Sequence, residues 1–304
     1  MLRSRRLNRP ALGLLVIVAV STALAQTGSD VTQGGLVSTA WLAEHLPDSD
    51  LRVVDMRYGV KYYWQKHIPG AVFLHPDVLA IADRGVPDNL LPPELLAGVL
   101  GRLGIGPATT VVVYGEEADT LAPHLAWALD CLGHPNSAVL DGGLDRWLAE
   151  ERPVTKDYPV IEPRAYPAPA AYLESGRAAL ADVADAVKSG SALLVDARTP
   201  GQYAGTEGPW KRLGHIPGAV NRPWTDDLLD GSTWQDTSEL RREYAALGIT
   251  PDRPVIVYCG KGLTASGTWF TLKRLLGFPD VRVYDGSFSE WADVDSLPVE
   301  SGRP

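Results

Sequence analysis

Apolar residues in this chain are grouped in two ways that alternate along its length. Short runs dominated by valine and isoleucine, at 52–55, 110–114 and 254–258, predict buried strands of a parallel sheet. Between such runs, the stretches 94–103, 121–132, 238–247 and 265–276 repeat apolar residues at helical spacing, and several are followed by glycine, as helix ends often are. Alternating strand and helix predict an α/β fold with a parallel sheet covered by helices on both faces.

The same order of signals occurs twice. Val53-Val54-Asp55-Met56-Arg57, His67-Ile68-Pro69-Gly70-Ala71-Val72 and Val111-Val112-Val113-Tyr114 return as Leu194-Val195-Asp196-Ala197-Arg198, His215-Ile216-Pro217-Gly218-Ala219-Val220 and Val255-Ile256-Val257-Tyr258. Toward the end of each copy, Leu132, Gly133, Pro135, Val139, Asp141, Gly142 and Trp147 match Leu276, Gly277, Pro279, Val283, Asp285, Gly286 and Trp291 at one constant offset of 144. Register held without a gap over that span implies two copies of one domain. The segment joining them is rich in proline and lacks periodicity, so an ordered surface linker is expected there. The chain thus divides into a leader at 1–25, a first domain at 26–151, a linker at 152–171 and a second domain at 172–304.

The leader is read from charge and hydropathy together. Arg3, Arg5, Arg6 and Arg9 precede an uncharged apolar run that closes on Ala23-Leu24-Ala25, the pattern of a cleavable signal peptide. The run is shorter than the roughly 20 residues a membrane-spanning helix needs, so no stable membrane anchor is expected after cleavage. Arg5-Arg6 fits a twin-arginine signal and general secretion equally. Export to the periplasm or the medium is expected. Removing the leader takes four arginines and no acid from a chain of net charge −9, leaving −13. A nucleic-acid partner is excluded by that balance, because phosphate binding needs a concentrated basic face. Two cysteines, Cys131 and Cys259, are too few for a disulfide scaffold.

Cys259 directly follows a strand run and precedes Gly260-Lys261-Gly262-Leu263-Thr264, after which a helix is predicted. Ligands of open α/β sheets bind at such carboxyl ends of strands. Two glycines let successive N–H groups curl toward one point, and the helix start adds partial positive charge, so an anionic sulfur is stabilised there. The thiolate of Cys259 is therefore the expected nucleophile, with Lys261 as a nearby cation. Cys131 lies in an apolar helical stretch and reads as a buried structural thiol.

Together the Val-Asp-x-Arg runs, the His-Ile-Pro-Gly-Ala turns, a strand ending in Tyr-Cys with a six-residue loop, and the late Asp-Gly-x-x-x-x-Trp resemble the two-domain rhodaneses, which comprise thiosulfate and 3-mercaptopyruvate sulfurtransferases. The likeness spans about residues 36–300. It implies tandem rhodanese-like domains of which only the second carries the catalytic cysteine. In agreement, the position equivalent to Cys259 in the first copy is Gly115, followed by Glu116 and Glu117, whose charge would repel a thiolate. The resemblance further implies that the first domain lends Tyr58 and His67 to the cleft, and that Lys211 and Arg212 present a cation to the substrate. Each of these is also readable as a structural or solvated residue. Asp196 and Arg198 are expected to form a supporting pair beneath the loop, as the repeated Asp55 and Arg57 suggest.

The implied reaction is a double displacement through a persulfide on Cys259, moving sulfur from a small anionic donor to a thiophilic acceptor such as cyanide or a thiol. No cofactor and no metal are expected, since no zinc-type cluster of ligands is visible. Related domains act as cysteine phosphatases, but these close their loop with an arginine that clamps phosphate, and Ala265 stands six residues after Cys259. Gly260, Gly262 and the following Leu-Thr-Ala resemble the mercaptopyruvate enzymes, whereas Lys261 resembles the thiosulfate enzymes. Lys261 favours thiosulfate, a compact dianion. A 3-mercaptopyruvate enzyme and a persulfide carrier or partner-binding module without turnover remain the alternatives.

Overall fold

The computed structural model describes residues 34–116, 120–168 and 176–302. The predicted leader, Glu117 and the end of the predicted linker lie outside them. In the first domain the strands are β1 (Leu36–Val37), β2 (Leu51–Asp55), β3 (Val72–Phe73), β4 (Ala80–Asp83), β5 (Val86–Leu90), β6 (Thr110–Tyr114) and β7 (Ser137–Leu140). Its helices are α1 (Thr39–His45), α2 (Val60–Gln65), α3 (Pro93–Arg102), α4 (Leu121–Cys131) and α5 (Gly143–Ala149). Five strands form a parallel sheet in the order β1-β7-β6-β2-β3. The remaining pair, β4 and β5, is an antiparallel hairpin whose two turn residues, Arg84 and Gly85, both have positive φ (50° and 86°). That backbone matches the twist of the strands it joins.

The second domain contains β8 (Arg177–Ala178), β9 (Leu193–Asp196), β10 (Val220–Asn221), β11 (Leu228–Leu229), β12 (Thr233–Trp234), β13 (Val255–Tyr258) and β14 (Val281–Tyr284). Helices α6 (Leu180–Ser189), α7 (Pro200–Ala204), α8 (Thr237–Ala246), α9 (Ala265–Trp269) and α10 (Ser287–Asp293) accompany them. Its parallel sheet runs β8-β14-β13-β9-β10, the order of the first sheet repeated strand for strand.

Side chains alternate across each sheet, and both faces are buried. In the first domain Val53, Val112, Ala138 and Leu140 pack with Leu42 of α1 and with Leu144 and Trp147 of α5. Val54, Val111, Val113 and Val139 point to the other side, toward α3 and α4. The second domain repeats this, with Leu194, Ile256 and Tyr284 against α6 and α10. On its opposite face Val195, Val257 and Val283 meet α8 and α9. That inner layer is continuous with the inner layer of the first domain, so the two copies share one apolar core. Its seam is α4 against α9. Gly267 makes the approach possible, because a Cβ there would lie 2.9 Å from the Thr120 methyl.

The periodic stretch 265–276 predicts one uniform helix, but α9 widens into a π-helix over Phe270–Leu275. The Thr271 hydroxyl donates back to the Gly267 carbonyl (3.3 Å) and accepts the Trp234 indole N–H (3.1 Å), which loosens the regular ladder at that turn. After α5 the chain runs over the surface of the first domain. Thr155 exchanges both backbone hydrogen bonds with His67, and the Arg164 N–H donates to Gly101.

Candidate active site

The loop after β13 is held in place by the start of α10. Phe288 N–H donates to the Cys259 carbonyl and Ser289 N–H to the Gly260 carbonyl, each at 3.0 Å. Gly262 adopts φ +84° and sits so close to the chain at 285 that a Cβ would lie 2.6 Å from the Asp285 carbonyl oxygen. Only glycine meets both conditions. Cys259 is 1% exposed and forms part of the wall of a cavity of about 350 Å³, to which Gly260, Lys261, Leu263 and Thr264 also contribute. Among the described residues, the backbone N–H groups of 260–265 donate to no protein acceptor. Donors without a protein acceptor, on the loop that begins at the sulfur, are available to an anion bound there.

Ser287 has φ 52°, an uncommon conformation for a residue with a side chain. Its hydroxyl accepts the Cys259 N–H at 3.1 Å, donates to the Tyr284 carbonyl at 2.8 Å, and lies 4.0 Å from the Cys259 sulfur. The equivalent residue of the first copy is Gly143, with φ 53°. The two positions share one backbone conformation, and the hydroxyl bonded to the Cys259 N–H is found in the copy that carries the cysteine.

Beneath the loop, Arg198 forms two-pronged hydrogen bonds to Asp196 (2.9 and 2.5 Å) and donates to the Gly214 carbonyl (2.8 Å). Both side chains are buried, and the guanidinium lies over Phe288 at 4.0 Å and Trp210 at 4.8 Å. Among the described residues its Nη1 finds no hydrogen-bond partner, although Arg198 lines the cavity. Arg57 and Asp55 repeat the pair in the first domain, where Arg57 also bonds Glu116 (3.2 Å). Gly115 there stands in the place of the cysteine, packed against Gly143.

Four residues expected near the substrate lie elsewhere. Arg212 donates to the carbonyls of Trp291, Ala292, Val294 and Leu297 and thereby caps the end of α10. Lys211 reaches outward to Asp295 at 2.8 Å, with both partners exposed. His67 is fully buried, hydrogen-bonded to the carbonyls of Tyr63 and Asp157 and stacked on Tyr63 at 3.8 Å. His215 does the same on Tyr203, so the repeated histidine braces a turn in both copies. Tyr58 is 46% exposed, lies edge-on to His75, and does not line the cavity. Cys131 is buried in the shared core, where burial pushes its thiol well above the usual range, and both cysteines are free.

Other contributors carry no sequence signal of their own. Thr199, Gln202, Trp210, Trp224 and Thr225 line the cavity from segments that carry none of the repeated motifs, apart from their nearness to Arg198 and the His-Ile-Pro-Gly turn. The first domain reaches the loop through its hairpin: Asp88 lies 3.3 Å from Lys261, and the Leu90 N–H donates to Asp285 at 3.0 Å. His124 of α4 is also close, and burial, with Lys261 second, lowers its pKa to about 4. No group of three or more His, Cys, Asp or Glu among the described residues is arranged to hold a metal, and no described helix is long and apolar enough to cross a membrane.

Two α/β copies share one core, and the strand-end cysteine belongs to one copy alone, a tandem-domain α/β class with a single thiol-bearing loop. The rhodanese-like domain model matches residues 38–150 and again 179–293, and the chain belongs to the rhodanese family. It is 38% identical over 280 residues to the sulfur carrier protein TtuD of Thermus thermophilus, covering 88% of this chain and 97% of that protein. It is 36% identical over 277 residues to a thiosulfate sulfurtransferase of Corynebacterium glutamicum, covering 88% and 91%. Among solved structures, the anaerobic ergothioneine biosynthesis enzyme from Chlorobium limicola, in complex with trimethyl histidine, superposes with TM-score 0.80 at 25% identity, over 90% of this chain and 72% of that one. A cysteine-persulfide form of EanB with ergothioneine gives 0.79 at 26% identity, over 90% and 72%. Sulfur transfer is the activity these relatives support.

Proposed function

We propose that this protein is a thiosulfate sulfurtransferase that carries sulfur as a persulfide on Cys259. The observation that carries the reading is the buried sulfur of Cys259 beside the unpaired N–H groups of 260–265 in an open cavity. In the first half-reaction the thiolate attacks the outer sulfur of thiosulfate, the sulfur–sulfur bond of the donor breaks, and sulfite leaves with the bonding pair. The terminal sulfur then sits as an anion within reach of those N–H groups, which favour it without reorganising. In the second half-reaction cyanide or a thiol attacks that terminal sulfur, and the Cys259 thiolate departs. Such a cycle is ping-pong.

Relatives named as thiosulfate sulfurtransferases support the donor, and the persulfide form of EanB supports the intermediate. A second reading, a carrier that passes its persulfide to a protein partner, is favoured by the likeness to TtuD. Formation of thiocyanate from thiosulfate and cyanide separates the two. Steady turnover, lost in Cys259→Ser, marks the enzyme; a single equivalent of sulfur on the Cys259 peptide without turnover marks the carrier. The leader at 1–25 supports export, and N-terminal sequencing of protein from its native host should begin at Gln26.

A further inference from the structure

The lysine of the sulfur loop is not a free cation. Among the described residues lining the cavity, Arg198 and Lys261 are the charged ones, and each is matched by a carboxylate. Arg198 is matched from within its own domain by Asp196, but the partner of Lys261 comes from the other domain. Asp88 lies on β5 of the hairpin that reaches across from the silent copy.

Asp88 is held there by two independent features. Its backbone is left-handed, φ 62°, a conformation that aspartate tolerates better than most residues. Two residues on, the Leu90 N–H is fastened to the buried Asp285 carboxylate, which also receives Arg177 at 2.6 Å. Asp285 in turn shoulders Gly262 in the loop itself. The hairpin is thus tied to the second domain at Leu90, and Asp88 meets Lys261 two residues from that tie.

We infer that Asp88 is a specificity-determining residue, whose carboxylate neutralises Lys261 at the cavity and so holds down affinity for doubly charged donors. This deepens the function proposed above and rests on it. A dianion at the loop must share Lys261 with Asp88, whereas a monoanion loses less from the sharing. His124, whose charge Lys261 also opposes, is neutral at pH 7 and does not alter that balance.

The test uses the full protein with Asp88→Asn, which keeps the shape of the side chain and its tolerance of a left-handed backbone. In a Cys259→Ser background, thiosulfate binding is read from tryptophan fluorescence, since Trp210 packs against Gly260. Asp88→Asn should tighten thiosulfate binding by up to about fivefold at low ionic strength, the upper end for a half-exposed charge pair. The gain should shrink with salt, should be smaller for 3-mercaptopyruvate, and should vanish when Lys261→Met is added. Unchanged affinity, equal gains for both donors, or a gain that survives without Lys261 each overturn the inference. If dianion binding responds as expected while the wild-type protein yields no thiocyanate, the role of Asp88 stands and the thiosulfate assignment fails.

Discussion

Replacing Gly262 by alanine tests whether the loop is as tightly fitted as its contacts indicate. Two penalties add. A side chain at φ +84° is strained by about 1–2 kcal/mol, and forcing a methyl into a filled space adds about 1–3 kcal/mol. The new Cβ would be 2.6 Å from the Asp285 carbonyl oxygen, a backbone atom that cannot rotate away. Nor can α10 retreat, because its first turn holds the carbonyls of Cys259 and Gly260. The loop itself must move by close to an ångström, and a shift of about 1 Å at a reacting centre lowers rates on the order of 100-fold. Gly277→Ala is the matched control, since it has φ +71° with nothing within 4 Å. Both variants carry backbone strain and the same loss of chain freedom when unfolded, so their difference isolates the contact with Asp285. Thermal melting should fall on the order of 10 °C for Gly262→Ala, at about 2–4 °C per kcal/mol, and less for the control. Thiocyanate formation should fall about 100-fold in the first and stay near wild type in the second. Equal turnover or equal melting in the two variants would show that the loop yields easily and that Asp285 does not shape it.

Other outcomes follow from the same contacts. Cys259→Ala should abolish sulfur transfer with little loss of stability, whereas Cys131→Ala should keep activity and lose about 1–2 kcal/mol of stability from a core thiol, measured by urea unfolding. With native protein at pH 8, iodoacetamide should label the Cys259 peptide and spare Cys131, whose thiol burial keeps protonated; mass spectrometry reads both, and labelled Cys131 contradicts the placement. Lys261→Ser should lower kcat/KM for thiosulfate about two- to fivefold at low salt and affect 3-mercaptopyruvate less, the modest size reflecting the half-exposed pair with Asp88. Burial holds His124 neutral down to a pKa of about 4 in the folded chain, against about 6.5 when unfolded, so the unfolded state binds the extra proton between those values. Stability should therefore drop by up to about 3 kcal/mol as pH falls from 6.5 to 4, and His124→Gln should flatten that part of the profile; an unchanged slope refutes it.

Much of the architecture is legible in the chain because it is local or repeated. Runs of valine between helical stretches specify parallel strands, and the constant offset of 144 residues specifies the same sheet twice. Loss of the cysteine in one copy can be read directly, since Gly115 stands where Cys259 does in the other. Roles set by distant partners cannot be read that way. Lys211, Arg212 and Tyr58 are near the motifs in sequence and His67 opens one, yet the fold places Arg212 on the end of α10 and His67 on a turn, because buried donors must find acceptors wherever the backbone brings them. Conversely, Trp210, Gln202 and Ser287 enter the site through chain reversals that no periodicity encodes. The charge facing the sulfur shows the division most clearly. Sequence places Lys261 in the loop, but only the packing of one copy on the other brings Asp88 to 3.3 Å from it, since that meeting depends on a shared core formed between residues more than a hundred positions apart.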